Sequence, residues 1–118
     1  MNGFAFDTKT VINETAIKGD ISEALRKAQA PLDSAVLADS NYFVPIKTGA
    51  LQKSGIIYTR IGSGKIEWRT PYARRWYYEY RKPAHQANPN ACAKWFEAAK
   101  ARWLDNWVRL VNEFVQRR

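Results

Sequence analysis

The stretch VPIKTGALQKSG, Val44 to Gly55, decides how this sequence is read. It carries a Thr-Gly pair, a lysine, a serine and a closing glycine, the parts of a phosphate cradle. A P-loop, however, needs G-x-x-x-x-G-K-(S/T), because successive backbone N–H groups wrap the phosphates and the second glycine permits that curvature. Here Lys53-Ser54 follow Gln52, Gly49 stands too close to Lys53, and a helical pattern replaces the upstream strand. Gly62-Ser-Gly-Lys65 fails as well, since Ile66 follows the lysine and a turn explains both glycines. A backbone role fits better. Pro45 forces Val44 into an extended conformation and stops the preceding helix. Thr48 can cap a short new turn, its hydroxyl accepting from a backbone N–H two or three residues on. Gly49 allows close approach at that turn, Leu51 anchors it in the core, and Gly55 ends it.

Upstream, Asp20-Ile-Ser-Glu23 has the spacing of a capping box. Apolar residues follow at Ile21, Leu25, Ala28, Leu32, Ala35 and Val36 in steps of three and four. The stripe keeps its phase across Pro31, which predicts one bent helix over about 20–41. Before it, Phe4-Ala-Phe6-Asp7 alternates as a short strand would. Downstream, the β-branched and aromatic run Ile56–Ile61, the turn Gly62-Ser-Gly64 and the alternating Lys65–Arg69 predict a hairpin over 56–69. Ile66 and Trp68 would face the core. Tyr72, Trp76 and Tyr80 recur every fourth residue, with Arg75 placed to pair with Glu79, so a short helix is expected there. A loop over 81–90 leads into the last helix, about 90–116, with Asn90 as its cap. Its apolar residues Trp95, Phe96, Ala99, Trp103, Trp107, Leu110, Val111 and Phe114 form a stripe wider than a small core requires. One edge, around Trp103 and Trp107, is therefore a candidate subunit interface. Together these elements predict one α+β domain over 1–118, a small antiparallel sheet packed against two long helices.

Composition narrows the chemistry. The 118 residues are 46% hydrophobic and 14% aromatic, and the five tryptophans favour contact surfaces as well as a core. No apolar run is long enough to cross a bilayer, and the first residues lack a signal-peptide pattern. A lone Cys92 excludes an internal disulfide and suits a reducing cytoplasm. With His85 the only histidine, neither a zinc site nor a Cys-His nucleophile is expected. The net charge of +8 is uneven: residues 40–82 carry nine basic and two acidic side chains. Such a field favours a polyanion or an acidic protein surface, or simply keeps the face solvated. Arg69, Arg74, Arg75, Arg81 and Lys82 form the candidate partner or DNA contact. No cofactor, metal ligand set or catalytic residue is expected.

Val44, Pro45, Thr48, Gly49, Leu51 and Ser54, read as V-P-x-x-T-G-x-L-x-x-S, resemble a motif of a family of tailed-phage structural proteins. Its members are described as minor capsid, neck, head–tail joining or tail-completion proteins. Pro71-Tyr-Ala-Arg74 looks like that family's segment after the hairpin, and Asn88-Pro-Asn90 leading into Trp95–Ala99 resembles its entry to the final helix. The likeness runs in order through residues 20–105. It implies a non-enzymatic virion component, a small α+β subunit that assembles in the host cytoplasm as a ring at the head–tail interface. Its partners would be other neck and tail proteins and copies of itself, with DNA passing through the channel, no membrane and no small molecule. A closed ring needs two different complementary patches on each subunit. Because DNA must slide, a dense basic lining would be counterproductive, which favours protein over DNA as the neighbour of the arginines.

Two other classes compete. A nucleic-acid-binding module would use the basic middle with Tyr72, Trp76, Tyr77, Tyr78 and Tyr80 as a stacking platform. A small toxin-like ribonuclease would use arginines and tyrosines in place of histidine, although no acid/base pair stands out.

Overall fold

The computed structural model describes residues 4–9 and 22–116. Helix α1, Ser22–Asn41, runs unbroken through Pro31. Ala28, Leu32 and Val36 are fully buried, so the expected stripe does keep its phase. The expected cap Asp20, like Ile21, lies outside the described residues. After Asn41 the chain passes through the buried Val44 and Pro45. Gly49 then takes φ 85°, a left-handed conformation that a side chain would strain, and helix α2 (Ala50–Tyr58) begins.

Here the structure departs from the expected hairpin over 56–69. Ile56, Ile57 and Tyr58 form the last turn of α2, and Gly55 lies inside the helix instead of ending it. Their strand preference is weak against context. The helix started at Gly49 continues because its Gly55 side lies flat on Trp68 and Leu37. Strand β2, Lys65–Trp68, pairs instead with the N-terminal strand β1, Phe4–Asp7. The pairing is antiparallel, Phe4 opposite Trp68 and Asp7 opposite Lys65. On β2's other edge, Thr59 Oγ1 accepts the Glu67 N–H at 2.9 Å, and Ser54 Oγ accepts that of Arg69 at 3.1 Å. Side chains thus occupy the edge where a second strand had been expected. Ile66 and Trp68 do face the core, both fully buried.

The α1–β2 junction turns on Asp33. This buried carboxylate accepts from Thr8 Oγ1 at 2.5 Å and Gln29 Nε2 at 2.8 Å. Its other oxygen accepts the backbone N–H groups of Gly62 and Gly64 at 2.8 and 3.0 Å. Both glycines have positive φ, so the turn before β2 is a loop of N–H groups closed around one side chain.

Helix α3, Ala73–Glu79, forms as expected, with Arg75 and Glu79 at 3.7 Å. Helix α4, Trp95–Gln116, starts later than expected. Asn90 is not its cap: its N–H donates to Asn88 Oδ1 at 3.0 Å, within the loop. The two long helices pack mainly on each other, and α2 and β2 both pack on α1. The expected layout of helices laid on a sheet becomes a helix pair with a small sheet at its flank. Rings fill the join. Phe6 stacks on Phe96 at 4.7 Å, and Trp95 meets Trp68 and Tyr77 edge-on.

Candidate interaction surfaces

The residues of VPIKTGALQKSG work inward. Val44 and Leu51 are core residues. The Thr48 hydroxyl accepts the Ala50 N–H at 3.3 Å, and Ser54 Oγ donates to the Leu51 carbonyl at 2.7 Å while holding Arg69. The 81–90 loop straps the segment down. Asn88 Nδ2 donates to the Tyr42 and Val44 carbonyls at 2.9 and 2.8 Å, and Gln86 Oε1 accepts the Ile46 N–H at 2.8 Å. Cys92 N–H donates to the Phe43 carbonyl at 3.1 Å. The two short motifs that lie farthest apart in the sequence are therefore one structural unit. None of these groups is arranged to receive a phosphate.

The five basic residues divide between surfaces. Arg75 and Arg81 line an open groove of about 1130 Å³ with Lys47, Trp76, Tyr78 and His85. Arg74 stands exposed on α3, and Lys82 donates to the Pro89 carbonyl at 2.9 Å. Arg69 lies in a different groove, with Arg60 and Lys65. Its guanidinium sits over the Tyr58 ring at 4.7 Å and its Nε donates to Glu67 at 2.7 Å. The rings near the first groove do not form an open platform. Tyr77 is fully buried, and Tyr72, Trp76 and Tyr80 pack in sequence with centroids 4.7 and 5.2 Å apart. Tyr78 is 56% exposed.

Trp107 belongs to the interior. It is 1% exposed and its indole N–H donates to Asp39 Oδ2 at 2.7 Å, so it is not part of an exposed edge. Trp103 is half-buried, edge-on to Tyr42 at 5.4 Å, with Arg102 over its ring at 4.8 Å. The apolar surface that the sequence conceals is elsewhere. Ile56 and Ile57 are 65% and 70% exposed, with Tyr58 and Ile61 beside them. Read as a strand, half of those residues should have pointed inward, so the hairpin expectation hid the patch.

Among the described residues, no group of three or more His, Cys, Asp or Glu side chains converges, and no helix is long and apolar enough to cross a membrane. Burial pushes the half-buried Cys92 thiol above its ordinary pKa, with the charge of Lys82 pulling slightly the other way. Residues 8–114 match the family described as Minor capsid protein. No curated protein and no solved structure matches the chain.

Proposed function

The chain belongs to the minor capsid protein family, a family of phage structural proteins, and on that premise we propose that it is a non-enzymatic, ring-forming subunit of the head–tail joint. The family match over residues 8–114 carries the reading. Three features support it. The motif residues build a rigid scaffold in place of a reaction site. Large apolar side chains stand exposed at the end of α2. Arginines line a broad open groove, a shape suited to a protein surface.

In this role the subunit is a spacer between head and tail, and DNA passes nearby without sequence-specific contact. Arg74 and Arg75 point their charge at an acidic neighbour in the neck. The packed Tyr72-Trp76-Tyr80 stack argues against a single-strand binding platform, which needs open ring faces. The test is a phage carrying Arg74→Glu together with Arg75→Glu. Filled heads and free tails should accumulate unjoined. Infectious particles at normal yield would remove these arginines from the joint.

A further inference from the structure

Two surfaces complement each other, one an exposed corner and the other a face whose apolar residues rest partly on the core. The first is the corner where α2 ends. Ile56, Ile57 and Ile61 are 65%, 70% and 44% exposed, and Tyr58 is 39% exposed. Apolar side chains gathered this densely on a surface mark a contact site. The surround is basic. Lys53 lies one helical turn before Ile56 and Ile57. Arg60 and Lys65 share a groove with Ile57 and Tyr58, and the acid of that groove, Glu67, is held by Arg69 at 2.5 Å.

The second surface lies on α4. Glu97, Ala101, Leu104, Asp105 and Val108 fall within about 100° of the helix circumference. Leu104 and Val108 are half-buried, while Glu97, Ala101 and Asp105 are exposed. Lys100 and Arg102 flank this face, and the opposite side of the helix enters the core. The face is a partly covered apolar seam with two exposed carboxylates, and Lys100 and Arg102 share its groove with them, so it lacks the net positive charge of the corner. It is separate from the corner, because α4 packs on α1 while the corner belongs to α2.

We propose that copies of the chain associate head to tail, the Ile56–Ile61 corner of one seated on the Leu104–Val108 face of the next. This rests on the ring-forming reading above and gives it its two patches. Arg60 and Lys65 then meet Glu97 and Asp105. Corner against corner would instead set Lys53, Arg60 and Lys65 against their own copies, which like-charge repulsion opposes. The contact is heterologous, the kind that closes into rings.

Assembled particles carrying Ile57→Cys and Val108→Cys, in a Cys92→Ser background, are treated with a short bismaleimide. The expected result is a ladder of multiples of the chain mass, absent from either single-cysteine variant. Wild-type particles treated with an amine cross-linker report self-association by any surface. An amine ladder without a cysteine ladder overturns these surfaces and leaves the ring standing; the absence of both overturns the ring as well. A cysteine product with a chain of different mass assigns the corner to another protein and also overturns the proposal. In a second measurement, Arg60→Glu with Lys65→Glu, added to the Ile57→Cys and Val108→Cys particles, should reduce the cysteine ladder at least tenfold. Adding Glu97→Lys and Asp105→Lys should restore it, and failure to restore it rejects the charge pairing.

Discussion

The side-chain amide of Asn88 donates to the carbonyl of Val44 at 2.8 Å, across 44 positions of sequence, and the same nitrogen reaches Tyr42 at 2.9 Å. The loop before α4 thereby holds the segment that follows α1. Asn88→Ala would leave both carbonyls short of a donor in a buried place, at a cost of about 2 kcal/mol. Urea denaturation should show that loss. Asn88→Asp should cost more near neutral pH, because an ionised carboxylate offers acceptors to acceptors. A protonated carboxyl can donate, which raises the folded pKa of this Asp. The Asp variant should therefore gain on the Ala variant as pH falls from neutral towards the ordinary Asp value, about 4, below which the gain is complete. Parallel pH dependence of the two variants would show that the amide's donors are not what matters.

Gly55 and Trp68 make a second such contact. A Cβ at position 55 would lie 2.5 Å from Trp68 Nε1 and 3.0 Å from Leu37 Cδ1. In an open helix Gly→Ala gains about 1 kcal/mol of propensity. Here overpacking costs about 1–3 kcal/mol, so Gly55→Ala should destabilise, with a change in near-UV circular dichroism as the indole shifts. A stabilised variant with an unchanged indole signal would mean that the ring yields without strain.

That contact also explains what was legible in the sequence. The two long helices, the short one and β1 follow from local periodicity, and Ile66 and Trp68 were correctly turned inward. The hairpin failed because Ile56–Ile61 has local strand preference, whereas its fate depends on Trp68, a residue beyond the turn. The family motif was recognisable, yet its partnership with Asn88 rests on hydrogen bonds that no spacing announces. Trp107 read as surplus to the core because the sequence does not reveal that Asp39 takes its N–H. The Ile56–Ile61 corner was invisible for the reason that the hairpin was expected.

Asp33 was not singled out by any pattern, although four donors converge on it. Asp33→Ala would strand the Gly62 and Gly64 N–H groups, and a lost hydrogen bond to a charged group costs about 1.5–3 kcal/mol. The β1–β2 pairing should loosen first. Faster amide exchange at Gly64 and Thr8, ahead of α4, is the expected signature, and uniform exchange across the fold would argue against a local clamp.

Trp103 and Trp107 of α4 should part company. Trp107→Ala empties a fully packed site and frees Asp39, with a cost of about 3–5 kcal/mol. Trp103→Ala removes a half-buried ring from a surface cluster and should cost clearly less. Thermal denaturation of both settles the order. Equal losses would place Trp103 in the core as well.

Cys92 gives a reading of the same region without mutation. Its thiol is held above the ordinary value by burial, so less thiolate is present near neutral pH than in the unfolded chain. Alkylation by iodoacetamide should therefore be slower in the native protein than in urea, with a rate-against-pH midpoint displaced upward. Asn88→Ala, by releasing the strap that lies beside Cys92 in the chain, should bring the native rate towards the unfolded one. If native and unfolded rates coincide across the pH range, Cys92 is not shielded and the loop does not hold the segment closed.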